Sequence, residues 1–152
     1  MHKHESTILW ERKDQNFADN KYSRAHLWEF DGIKVPASSS PSVLPVPLSS
    51  LEAIDPEEAL VAATSSCHML FFLSIAAKRG FVVDSYRDQA FGVMGKNSEG
   101  KTYMSKITLR PIIQFSGVKQ PNAAEIEEIH QEAHGLCFVG NSLKSEIVIE
   151  TA

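Results

Sequence analysis

The sequence predicts an α+β fold in a single domain spanning residues 1–152, and three observations carry that expectation. Alternating apolar and polar segments, a long apolar helix, further alternating segments, a second helix and a last alternating segment follow one another without internal repeat. The long helix has recognisable start and stop signals at both ends. A chain of 152 residues is also enough for one core, burying roughly 70% of the surface its unfolded form exposes.

Ser6 to Trp10 and Ala25 to Phe30 alternate as half-buried strands do, and Asp31-Gly32 before Ile33 is a turn signal, so the N-terminal third reads as antiparallel hairpins. From Pro36 to Leu51 the chain is rich in Pro and Ser without periodicity. It reads as an extended loop of about 15 residues, a length often functional and suited to an active-site rim.

Asp55 can cap the first helix, Pro56 suits its first position, and Glu58 stands where a capping box needs a carboxylate. Lys78 and Arg79 favour the negative end of the helix dipole, and Gly80 supplies the stop. Between those ends Ala59, Leu60, Ala62, Ala63, Met69 to Leu73 and Ile75 leave almost no polar face. Such a helix must be covered on most sides, which predicts a central helix and a subunit interface.

Phe81 to Met94 and Tyr103 to Phe115 read as strands flanking the polar, glycine-containing turn Lys96 to Gly100. A second helix starts near Pro121, with Ile126, Ile129, Ala133 and Leu136 or Cys137 on one stripe, and Leu143 to Glu150 closes the chain as a strand.

With 43% hydrophobic and 22% charged residues the composition is that of an ordinary globular protein. A net charge of -4 and scattered Lys and Arg provide no basic footprint, which argues against nucleic acid as a partner. No basic-then-apolar leader follows Met1, and the longest unbroken apolar stretch, Met69 to Leu73, is far shorter than the roughly 20 residues of a membrane span. The expectation is a cytoplasmic protein that does not engage a membrane.

Two cysteines in a reducing compartment are redox-active, metal-binding or simply buried. Cys67 lies more than three turns into the first helix, beyond the reach of the dipole, so a reactive thiolate there needs a nearby cation or donor. Its plainer reading is a small core residue, and Cys137, at the end of the second stripe, invites the same reading. Glu58 is first a capping residue and second a carboxylate able to orient a cation. It stands nine positions before Cys67, on the opposite side of a straight helix and roughly 13 Å away along its axis, so a shared site would require a bend or a second subunit. His130 and His134 have metal-ligand spacing but not the zinc-protease pattern, and read as a solvent-facing pair. Cys67, His68, His134 and Cys137 are suitable zinc ligands chemically, but neighbours such as Cys67 and His68 point about 100° apart on a helix and cannot easily share an ion.

The run Asp55-Pro56-Glu57-Glu58-Ala59-Leu60, continuing through Ala62-Ala63 to Ser66-Cys67-His68, resembles the first helix of the OsmC and organic hydroperoxide resistance family. His134-Gly135-Leu136-Cys137, followed by Asn141-Ser142-Leu143-Lys144 and a final strand, is similar to that family's second Cys segment. The resemblance implies an intertwined homodimer, two central helices wrapped by curved antiparallel sheets, with active sites at the subunit interface. It also implies a thiol peroxidase with no metal and no bound cofactor, in which Cys67 attacks a hydroperoxide, Cys137 resolves the sulfenic acid as a disulfide, and a small dithiol or lipoylated protein reduces it. Glu58 would hold an Arg that stabilises the thiolate. Arg24 is the nearest candidate, since no Arg occurs between Ile33 and Leu60, and Phe138 stands where the family has a Pro after its second Cys. The alternative is a redox-silent member that binds a small apolar ligand or a partner chain in the interfacial pocket.

Overall fold

A computed structural model describes residues 1–151. The chain forms two compact units, Met1–Ala59 and Leu60–Ala152, whose boundary falls inside a helix rather than in a linker.

The first unit holds an antiparallel sheet of β1 (Thr7–Leu9), β2 (His26–Phe30) and β3 (Ile33–Ala37), with Trp28 opposite both Ile8 and Val35. Gly32 makes the tight turn between β2 and β3 at φ 77°, a conformation that side chains disfavour. The Pro- and Ser-rich segment is not extended beyond β3. It folds into successive turns, with Val43 and Leu44 amides donating to the Ser40 carbonyl and the Leu48 amide to the Pro45 carbonyl, as expected of residues that favour turn geometry. Its end returns to β3, where the Ser38 amide donates to the Ile54 carbonyl at 2.9 Å.

Helix α1 (Pro56–Lys78) begins with the expected capping box: the Glu58 amide donates to Asp55 Oδ1 at 2.8 Å and the Asp55 amide to Glu58 Oε2 at 3.3 Å. It ends with Gly80 at φ 83° and the Phe81 amide donating to the Ala76 carbonyl at 3.0 Å, a Schellman stop.

Each of the two long strands expected in the second unit is broken in two. The strands are β4 (Val82–Asp88), β5 (Phe91–Lys96), β6 (Thr102–Leu109) and β7 (Pro111–Ser116), with β4 paired to β7 and β5 to β6. A corner causes the break. The Arg110 amide donates to Asp88 Oδ1 at 2.7 Å and its guanidinium to the Gln89 carbonyl, while Pro111 has no N–H to continue a ladder. The corner lets one hairpin cover two clusters. Phe72, Ile75 and Ala76 of α1 pack with Phe81 and with Ile129 and Ala133 of α2 (Ala123–Leu136), against Val83, Tyr86, Ile113 and Phe115. Met104, Ile107 and Leu109 pack with Leu60 and Val61 of α1. Gly92 permits this approach, because a Cβ there would lie 2.9 Å from Val61 Cγ2.

A short helix absent from the sequence reading, α3 (Phe138–Asn141), follows α2, and β8 (Glu146–Ile149) joins β6 with Ile107 opposite Ile147. That pairing is parallel, correcting the expectation of purely antiparallel sheets. The reason is the crossover through α2 and α3, which returns the chain to run beside β6.

Window for window, α1 is apolar enough to cross a bilayer, with a mean hydropathy of 1.7 over 18 residues. It is nevertheless a core helix: Phe72 and Ala76 are fully buried. Ala62, Ser66, Leu70, Ser74 and Ala77 occupy its exposed side.

Candidate thiol site

Cys67, midway along α1, is half-buried, and Cys137, at the joint between α2 and α3, is buried. Cys137 serves both helices. Its amide closes α2 by donating to the Ala133 carbonyl at 2.9 Å, and its Sγ caps α3 by accepting from the Gly140 amide at 3.3 Å. The Cys67 sulfur lies beside Cys137 although seventy positions separate them, and no disulfide joins them. Burial, together with the Cys67 sulfur beside it, pushes the Cys137 thiol up to about 11, with the Gly140 amide acting weakly in the other direction. Cys137 therefore keeps its hydrogen at neutral pH. The wall of this site is apolar: Phe71, one turn beyond Cys67, meets the edge of Phe138 at 5.1 Å between ring centroids, and Phe138 is 73% exposed.

Behind the thiols lies a pair that the sequence reading misplaced. His68 Nε2 and His130 Nδ1 are 3.0 Å apart in nearly parallel rings, and Phe72 packs on His130. Burial, with smaller contributions from His130 and His134, lowers His68 to about 4, and burial also lowers His130 against the opposing pull of Glu127 and Asp88. Both rings are neutral at pH 7. The expected solvent-facing pair of His130 and His134 is thus corrected, because His130 faces the core and only His134 stays partly open. The signal was present in the spacing: His130 follows Ile126 by one turn and adjoins Ile129 on the apolar stripe, and His68 lies between the buried Thr64 and Phe72 at intervals of four. Among the described residues no group of three or more His, Cys, Asp or Glu is gathered for a metal.

Glu58 is exposed, with its carboxylate engaged in the cap. Its neighbour Glu57, passed over in the sequence reading, has Oε2 buried without a hydrogen-bond partner. Arg24, in the first unit, lies over the Tyr22 ring at 3.7 Å and donates to Asn20 Oδ1 at 2.9 Å and to the Tyr22 carbonyl. Cys67 and Cys137 are thus brought together, while Arg24 and Glu58 are each held by partners within the first unit.

A family model described as OsmC-like protein matches residues 49–152. The chain belongs to the OsmC-like family. An OsmC-like protein of unknown function from Vibrio cholerae is 54% identical, with a TM-score of 0.98 over 100% of both chains. An organic hydroperoxide resistance protein from Elizabethkingia anophelis superposes with a TM-score of 0.70 at 12% identity, covering 99% of this chain and 94% of that one. The organic hydroperoxide resistance protein OhrB of Bacillus subtilis does so at 0.68 and 14%, covering 99% and 98%. At those identities the last two speak for the OsmC-like fold alone. Comparison with the curated proteins finds no match.

Proposed function

We propose that this OsmC-like chain is a cysteine-based peroxidase that reduces organic hydroperoxides, and hydrogen peroxide as a smaller substrate. The observation that carries the reading is the adjacent, unbridged pair of Cys67 and Cys137. A lone buried thiol has no use for a second one at that range, whereas a peroxidatic thiol does.

In the first step the Cys67 thiolate attacks the terminal peroxide oxygen, the O–O bond breaks, and the departing alkoxide takes a proton to leave as the alcohol. Sulfur is oxidised to the sulfenic acid. Cys137 then attacks that sulfur, its thiol hydrogen leaves with the hydroxyl as water, and a disulfide forms. A small dithiol or a lipoylated protein restores both thiols by exchange, its own pair becoming a disulfide. Cys137 suits the resolving role because a thiol raised to about 11 does not compete as first nucleophile.

Arg24 and a carboxylate at the head of α1 complete the proposal as stabilisers of the thiolate. Glu57 fits that carboxylate better than Glu58, since a buried, unpartnered oxygen calls for a cation and a capping carboxylate is already engaged. The exposed Ala62, Ser66, Leu70, Ser74 and Ala77 side of α1 supports a homodimer, in which a second copy covers it.

Titration with tert-butyl hydroperoxide, followed by mass spectrometry, tests the reading. The reduced protein should form one intramolecular Cys67–Cys137 disulfide. The Cys137→Ser variant should stop at a sulfenic acid that dimedone traps, and Cys67→Ser should not react. Both thiols left free in folded protein after excess peroxide would overturn it.

A further inference from the structure

Helix α1 crosses the α2–α3 segment at the thiols, and the crossing lies wholly within Leu60–Ala152. There the Cys67 sulfur lies beside Cys137, the His68 ring stacks on the His130 ring, Phe72 packs on His130, and Phe71 meets Phe138. His130 is thus seated between His68 and Phe72, two α1 side chains one turn apart, and is 1% exposed. His134, one turn nearer Cys137 on α2, is close enough to act on His68 electrostatically. The histidine pair therefore occupies the turns of α2 that lead directly into Cys137.

A polar pair is a costly choice beside the apolar cluster of Phe72, Ile129 and Ala133. Two imidazoles give up hydration on burial, and one bond of 3.0 Å between neutral rings does little more than offset that loss. Among the described residues neither ring makes another hydrogen bond, so the interhelix bond is the pair's one directional contact. What it supplies is direction. Apolar side chains slide and repack with small penalty, whereas a donor and an acceptor fix distance and angle, as single buried polar residues do when they set helix register.

Register matters at the thiols. A slip of one residue along a helix moves a side chain by about 1.5 Å and turns it by about 100°. A disulfide needs its Cβ atoms within about 4.5 Å of each other and pointing together. Cys137 sits at the joint of α2 and α3, where its amide closes one helix and its Sγ caps the other, and neither bond reaches α1. The nearby contact of Phe71 with Phe138 anchors little, because Phe138 is largely exposed.

We propose that His68 and His130 are positioning residues: their bond locks the register of α1 against α2 and so holds Cys67 and Cys137 at bridging distance. Disulfide closure is the step that uses this spacing, and there the inference rests on the peroxidase reading; the spacing itself does not.

Two readouts on the full-length chain test the proposal. One is closure of the Cys67–Cys137 disulfide after tert-butyl hydroperoxide, followed by quenched mass spectrometry. The other is bridging of the reduced thiols by dibromobimane, which becomes fluorescent once it has joined two neighbouring thiols. His68→Leu/His130→Leu should keep the parent's stability to urea at pH 7 or raise it, since it removes both polar groups together. It should nevertheless slow closure and bridging about tenfold or more, while sulfenic acid formation at Cys67, trapped by dimedone, stays within about twofold. His68→Gln, whose side-chain amide can donate or accept where Nε2 stands, should close and bridge within about threefold of the parent. His68→Met, of similar length but without a directional bond, should be as slow as the double variant and replaces it where the double variant does not fold. Parent-like bridging in either apolar variant, bridging by His68→Gln as slow as by His68→Met, or no bridging in the parent would each overturn the proposal. A parent that dibromobimane bridges but peroxide leaves as free thiols would overturn the peroxidase reading instead, and the bridging rates of the variants would still decide this one.

Discussion

His68 Nε2 lies 3.0 Å from His130 Nδ1, and neither residue is more than 1% exposed. One ring donates an N–H and the other accepts, so the bond exists only while at least one ring is neutral, and a second proton would place two cations in contact away from water.

The pair therefore makes stability depend on pH. Both folded-state values are lowered, His68 to about 4, whereas in the unfolded chain each imidazole takes a proton near 6.5. Below that value the unfolded state binds more protons, so stabilisation is full above about pH 6.5 and declines as pH falls toward 4, by on the order of 3 kcal/mol for His68. Urea denaturation from pH 7.5 to 4.5 should show this decline, and His68→Gln should flatten it. A parent profile that is already flat would refute the assignment.

The two thiols should differ in reactivity. Cys67 is half-buried, and Cys137 is buried and raised to about 11. Iodoacetamide at pH 8 should alkylate Cys67 at least about tenfold faster than Cys137, as read by peptide mass spectrometry. Equal rates, or Cys137 first, would reverse the proposed order of attack.

Gly140 has a packing role beside the resolving thiol. A Cβ there would lie 3.1 Å from Ile147 Cδ1 and 3.4 Å from Cys137 Sγ. Gly140→Ala should force a shift costing about 1 kcal/mol or more, and should slow disulfide closure while leaving sulfenic acid formation at Cys67 unchanged. Stopped-flow oxidation with and without dimedone separates the two steps.

The two acids at the head of α1 should separate stability from chemistry. Glu58→Gln should cost about 1 kcal/mol or less of stability by weakening the cap, with peroxide turnover within about twofold of the parent. Glu57→Gln and Arg24→Ala should each slow the first oxidation about tenfold or more with the circular dichroism spectrum unchanged. Should Glu58→Gln be the slow variant instead, the carboxylate role returns to it.

Much of this protein was legible in its sequence because the signals were local. The capping box of Asp55 and Glu58, the Gly80 stop, the turn at Asp31-Gly32 and the helical stripe of Ile126, Ile129 and Ala133 are written in residues within a turn or two of one another. The resemblance that led to the OsmC-like family also lay in two short runs. What the sequence left open depends on surfaces that meet only after folding. The thiols of Cys67 and Cys137 are neighbours because α1 and the joint of α2 with α3 pack side by side, and no spacing rule connects positions seventy apart. The break of the long hairpin at Asp88 and Arg110 and the parallel placing of β8 are likewise decided by which faces need covering. Helix and turn preferences are settled by a few neighbouring dihedrals, whereas partner choice across the core is settled by burial, which belongs to the whole chain at once.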